Sequence, residues 1–262
     1  MKEVHFVVQA KGGVGKSFTA ALLAQYLRDR SRDALHCFDI DPRTPIFSNY
    51  ASLHPTVVEL EDKKRPGSIN TVHFDGLMDN LIDKQGIAVA DTGTSTFEPL
   101  MSYIAENGAD EELAAEGVRV VMHIPLVGGQ AKNECLNGLV RVLDAVDAQA
   151  VIWLNERWGE VHENGVPFEQ FKLYENRKKQ IAGIVRIPAL NPDTYGKDIA
   201  DMTERNLTFG ELAGAGFGRW SLKRLLEYRD LIWTQLDAVP FEAVPAQTKS
   251  HTENSGAAHE AA

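Results

Sequence analysis

Cysteine, basic excess and long apolar runs are all scarce in this chain. Its 262 residues contain two cysteines, Cys37 and Cys135. They lie far apart and match no zinc or cluster ligand spacing, so the sequence predicts free thiols in a reducing, cytoplasmic setting. Cys37 falls inside an apolar run and reads as a small core residue, which also argues against an iron–sulfur centre. No apolar stretch reaches the roughly 18 residues of a membrane span, and no secretory leader is recognisable. Asp and Glu outnumber Lys and Arg by 37 to 27, a net charge of −10. That balance excludes binding to nucleic acid through bulk charge, and any such contact has to be a local patch. No internal repeat is visible.

What is present is alternation. Short apolar runs at Val4–Val8, Leu35–Phe38, Ile87–Ala90, Val118–Ile124, Ala150–Leu154 and Ile184–Ile187 are separated by longer amphipathic stretches. This is the pattern of βαβ units around a sheet buried on both faces, and it predicts an α/β fold: a doubly wound, mainly parallel sheet flanked by helices. Helices are expected over Lys16–Arg28, with Ala20, Leu23, Ala24 and Leu27 as a core stripe, and over Asp75–Ile82, Gln130–Val142 and Phe168–Gln180. The last helix follows the glycine step Gly214, Gly216, Gly218. The charged stretch Glu59–Arg65 with Pro66-Gly67-Ser68 reads as an exposed loop. One domain over residues 1–240 is predicted, followed by a disordered tail at 241–262 poor in large apolar residues.

Between the first strand and first helix lies Lys11-Gly12-Gly13-Val14-Gly15-Lys16-Ser17. A Gly-rich turn leading into a helix offers backbone N–H groups to closely packed phosphate charges. The sequence therefore predicts nucleotide binding by Gly12, Gly13, Val14, Gly15, Lys16, Ser17 and Phe18. Lys16 would reach the β- and γ-phosphates and Ser17 would ligate Mg²⁺. Ala10 stands where the usual pattern has its first glycine, so it must sit at negative φ or be strained. In doubly wound sheets ligands bind beyond the strand carboxyl ends. Two acidic sites meet that condition: Asp39-Ile40-Asp41-Pro42 and Asp91, the latter matching the second metal-positioning carboxylate of phosphate-loop proteins.

With the extra Lys11, this loop resembles that of the deviant Walker A ATPases, the group of chromosome- and plasmid-partitioning ATPases and septum-site regulators. The resemblance implies ATP and Mg²⁺ as cofactors and a homodimer formed on ATP binding. It also implies that Lys11 reaches the partner's nucleotide, that Asp39 belongs to the metal shell with Ser17 and Asp91, and that Asp41 orients the attacking water. Lys11, Lys16 and Asp41 are thus the candidate catalytic residues. Asn155-Glu156-Arg157-Trp158 lacks the lysine and aspartate of a guanine-reading motif, so adenine is favoured. Asn155 and Pro188 match the family's base-contacting positions, although Asn155 is equally readable as a strand-ending turn residue. Arg43, where partition ATPases often have glutamine, and the absence of proline after Asp91 depart from a simple partition role.

Three further segments resemble TraL-type conjugal transfer proteins of plasmids: Trp153-Leu154-Asn155 with Trp158-Gly159, Ile187-Pro188-Ala189-Leu190 with Thr194-Tyr195-Gly196, and Leu207-Thr208-Phe209. This implies a switch ATPase working with plasmid transfer or maintenance proteins. A non-hydrolysing ATP-binding adaptor and a phosphate-loop metabolic kinase or ligase are the alternatives. Arg219, Lys223, Arg224 and Arg229 on the last helix offer a local DNA patch or, more simply, a solvated face; a membrane contact there has less support.

Overall fold

The computed structural model describes residues 1–242 and 244. Its centre is a sheet of seven strands, all parallel: β1 (Glu3–Val7), β2 (Leu35–Ile40), β3 (Thr56–Val57), β4 (Ile87–Thr92), β5 (Arg119–Val127), β6 (Gln149–Asn155) and, after a short hairpin of β7 (His162–Glu163) and β8 (Val166–Pro167), β9 (Ile181–Ile187). The order across the sheet is β3-β2-β4-β1-β5-β6-β9. The expected doubly wound parallel sheet is therefore the fold. β1 lies near the middle; β2, β3 and β4 fill the sheet on one side of it, and the chain then crosses from β4 to β5 on the other, opening a crevice at the carboxyl edge.

Helices cover both faces. On one side α2 (His73–Asp83), α3 (Thr94–Asn107), α4 (Ala109–Ala115) and α5 (Lys132–Ala145) bury Phe74, Phe97, Leu100 and Leu139 against Phe6, Phe38 and Ala90. On the other, α1 (Lys16–Arg30) and α8 (Arg219–Leu236) pack on Val7, Val89, Val121 and Trp153. The remaining helices, α6 (Lys172–Arg177) and α7 (Lys197–Glu204), flank β9. Alternation along β1 sends Val4 and Phe6 to one core and Val7 to the other, as a strand buried on both faces requires.

α1 is wider in its burial than an amphipathic stripe. Every residue from Thr19 to Leu27 is buried, because the sheet lies beneath it and neighbouring segments close its flanks, with Trp233 of α8 edge-on to Tyr26 at 5.7 Å, Phe209 N donating to Gln25 and Arg30 bidentate to Asp237. The single helix expected over Phe168–Gln180 is broken. Phe168–Gln170 forms a tight 3-10 turn, Phe171 is extended, and only Lys172–Arg177 is α-helical. The break lets both Phe168 and Phe171 turn into the core. Three helices that periodicity did not reveal are α3 and α4 on one side of the sheet and α7 on the other. α3 carries Pro99 in its interior.

A chain of polar groups crosses the second core. Trp153 Nε1 donates to His123 Nδ1 at 2.9 Å, which leaves His123 Nε2 as the proton-bearing nitrogen, 3.0 Å from His5 Nδ1. His5 Nε2 lies 3.5 Å from Glu3, and Glu3 pairs with Arg119 at 3.3 Å. Burial holds His123 well below the usual imidazole range, so it is neutral. Phe241 packs edge-on to His5 at 5.2 Å and is 5% exposed. The packed chain thus runs past the predicted boundary at 240, because an aromatic ring here closes the core. The predicted tail otherwise lies outside the described residues, apart from Glu242 and Val244.

Candidate nucleotide-binding site

Val7, Asp91 and Asp39 stand level with one another on the adjacent strands β1, β4 and β2. The loop from Val8 to Gly15 leaves β1 at that level and enters α1. Gly13 and Gly15 have φ of +75° and +97°, a region closed to most side chains. Ala10 is not among the residues at positive φ, so the unusual alanine is accommodated without strain. Gln9, buried beneath the loop, anchors it. Its amide donates to Pro125 O and Cys135 O, and its Oε1 accepts from Ala10 N.

The first turn of α1 carries no capping side chain and no acidic residue. Its N–H groups, from Lys16 onward, are the orphan donors that favour an anion. α3 also begins uncapped, at Gly93, and Thr94 in its first turn lies 3.3 Å from Lys16 Nζ. Thr94 Oγ1 would sit 3.2 Å from a Cβ placed on Gly12. Two helix N-termini therefore face one loop, and Thr94 is a site residue that sequence reading passed over. Its signal was the small Gly-Thr-Ser-Thr run after an apolar strand.

Lys16 is 8% exposed and bonds to Lys11 O at 3.2 Å. Burial lowers its pKa, while Asp91 and Asp41 nearby oppose that shift. Asp91 is completely buried, and neither carboxylate oxygen has a hydrogen-bond partner of normal geometry. Burial pushes it up to about 8, against the pull of Ser17 and Lys16, with Asp39 and Asp41 adding to the rise. Asp39 accepts from Asp41 N at 3.1 Å and Ser48 N at 2.7 Å, and burial raises its pKa too. A buried, unsatisfied carboxylate beside a serine hydroxyl and a second carboxylate is the donor chemistry of a hard divalent cation, so Ser17, Asp39 and Asp91 fit Mg²⁺.

This arrangement has a measurable cost without a cation. A carboxyl whose folded pKa lies near 8 binds a proton that the unfolded chain has already released above pH 4, so its folded state weakens as pH rises through that window. Asp91→Asn is expected to stabilise the nucleotide-free, metal-free protein by on the order of 2–4 kcal/mol at pH 8, with the gain shrinking toward pH 4. Urea unfolding at both pH values checks this, and an unchanged midpoint at pH 8 would contradict it.

Asp41 lies at the open end of the site. Its Oδ1 accepts from Arg43 N at 3.0 Å and Thr44 N at 3.2 Å. A Cβ built on Gly93 would lie 2.5 Å from that oxygen, so with an ordinary φ of −75° the glycine is what leaves the Asp41 carboxylate its present place. Arg43 reaches across to Gly67 O at 3.2 Å and ties down the Glu59–Ser68 loop. Lys11 turns away from Lys16 and pairs with Glu134 of α5 at 2.9 Å.

Beyond Gly15 and Phe18 opens a cavity of about 530 Å³ lined by Asn155, Trp158, Pro188 and Leu190. Asn155 Nδ2 donates to Val14 O of the phosphate loop at 3.0 Å, and its Oδ1 accepts from Arg157 N. The strand-ending turn role and a place at the cavity are thus both true of Asn155. On α8, Lys223 pairs with Glu227, Arg224 with Asp198, and Arg229 with Asp230, so three of the four cations considered for DNA are neutralised within the chain. Both cysteines are buried and free, with Cys37 pushed up to about 12 by burial. Among the described residues no helix is long and apolar enough to cross a membrane.

Comparison with known proteins bears on this geometry. Residues 5–237 match the CobQ/CobB/MinD/ParA nucleotide binding domain. Two Escherichia coli proteins called Protein TraL are similar over nearly their whole length: one is 36% identical, covering 91% of this chain and 98% of the relative, the other 35%, covering 90% and 98%. A ParA family ATPase from Chlorobium tepidum aligns structurally over 86% of this chain and 96% of its own, at 14% identity and a TM-score of 0.48.

Proposed function

Since the chain belongs to the CobQ/CobB/MinD/ParA nucleotide-binding family and is related to TraL along almost its full length, we propose that it is a Mg²⁺-dependent ATPase switch, dimeric with ATP, acting in plasmid conjugal transfer or maintenance. One observation carries the reading: Asp91, buried beneath the phosphate loop, has neither oxygen in a hydrogen bond of normal geometry among the described residues, which is the place a cation would fill. Mg²⁺ held by Ser17, Asp39 and Asp91 would neutralise phosphate charge. Lys16 and the free N–H groups of α1 would hold the β- and γ-phosphates, and Asp41 would orient a water for in-line attack. The Lys11 side chain, partly exposed and paired with Glu134 of α5, supports a role across a dimer interface. Its exchange of Glu134 for a phosphate would couple ATP to dimerisation.

Light scattering with Mg²⁺ and either ADP or ATP, with phosphate release followed in parallel, tests the proposal. A dimer only with ATP and slow turnover is the expected result. A monomer in every state would overturn the switch, and turnover that depends on an added small metabolite would favour the kinase or ligase alternative. The single-domain reading, 1–240, goes with this proposal: both helical layers serve one crevice.

A further inference from the structure

Trp158, on the rim of the 530 Å³ cavity, is 49% exposed. A singly exposed aromatic needs no explanation by itself, but this one is held rigidly. It ends the 3-10 turn Glu156–Trp158, whose start is fixed by Asn155 accepting from Arg157 N. Gly159 then turns at a φ of +102°, and its carbonyl lies against Gly128, where a Cβ would come within 2.5 Å. The turn is therefore wedged against the segment that follows β5. The Arg157 guanidinium sits 5.5 Å from the Trp158 ring centroid, a cation–π contact that further limits its rotation.

Much of the remaining lining is apolar, with Asn155, Arg157, Lys197 and Thr203 as polar members. Pro188 and Leu190 line it from the end of β9, and Gly15 and Phe18 join it to the phosphate loop. A flat, apolar ligand part continuous with a phosphate chain is what this shape receives. We propose that Trp158 is the stacking platform for the nucleotide base, an assignment that rests on the ATP-binding reading of this site. Stacking uses the π-face that every base has, so Trp158 would supply affinity for the base without choosing between adenine and guanine. Any such choice falls to polar groups at the ring edge. Asn155 keeps one amide hydrogen free after bonding Val14 O, and it links the platform mechanically to the phosphate loop.

The test compares wild type, Trp158→Phe and Trp158→Ala for binding of ATP, GTP and inorganic tripolyphosphate, each with Mg²⁺. Trp158→Ala is expected to weaken both nucleotides about 5- to 100-fold and to leave tripolyphosphate unchanged, which also shows that the variant is folded. Trp158→Phe should restore most of the affinity, and the nucleotide-dependent quench of tryptophan fluorescence in wild type should be lost in it. Equal ATP affinity in wild type and Trp158→Ala would overturn the platform and leave ATP binding intact. A wild type that binds tripolyphosphate but neither nucleotide would overturn both.

Discussion

Asp41→Ala should lower ATP hydrolysis at least about 100-fold while changing Mg²⁺–ATP affinity no more than about 3-fold. Asp41 makes its contacts within its own turn, to Arg43 N, Thr44 N and the Thr44 hydroxyl, and donates nothing to the phosphate loop. Losing it removes the carboxylate that would align water but none of the groups that would hold phosphate. The ATP-bound dimer should therefore persist, trapped. Gly93→Ala is the complementary probe, because the new methyl would meet the Asp41 carboxylate and displace it. It should reduce hydrolysis in the same direction and by at least about 10-fold. Phosphate release and nucleotide titration on both variants decide the matter. Hydrolysis at the wild-type rate in Asp41→Ala would assign water activation to another residue.

Lys16→Ala should have the opposite profile: ATP affinity falls by about 30- to 1,000-fold, as expected for removing a charge-assisted contact to phosphate, and hydrolysis disappears with binding. The nucleotide-free protein should be no less stable than wild type. Lys16 is buried, and burial is the largest influence on its pKa, lowering it. Its two hydrogen bonds, to Lys11 O at 3.2 Å and Thr94 at 3.3 Å, are long. Such a group costs folding energy and returns it only when an anion is bound. Calorimetric titration and thermal unfolding, done together, separate the two effects. A variant that loses both binding and several degrees of melting temperature would mean that Lys16 holds the fold rather than the ligand.

The parts of this molecule that were legible from sequence share a physical cause. Strands buried on both faces are largely apolar, so β4 and β6 announce themselves as short unbroken runs and β1 as a run broken by His5. The phosphate loop was legible because glycine is required where φ is positive, as at Gly13 and Gly15. Asp39 and Asp91 were legible because an acidic residue ending such a strand faces the ligand edge. β3, only two residues long at the sheet margin, has too little pattern to register. α3 was hidden by Pro99 and by a Thr/Ser start that reads as a turn. Thr94 beside Lys16, and Glu134 beside Lys11, are neighbours through folding alone, across 78 and 123 positions of sequence. No local spacing encodes them.

The central place of β1 has a consequence for the order of synthesis. β1 leaves the ribosome well before its sheet neighbours β4 and β5, which begin at Ile87 and Arg119. At roughly 5–20 residues per second, the nascent strand waits several seconds with both edges unpaired, the state in which apolar segments seek the wrong partner. Glu3 and His5 interrupt its apolar residues during that wait, and a charge or polar group so placed lowers a strand's tendency to aggregate. The same two side chains are later enclosed with His123 and Arg119 once β5 has arrived.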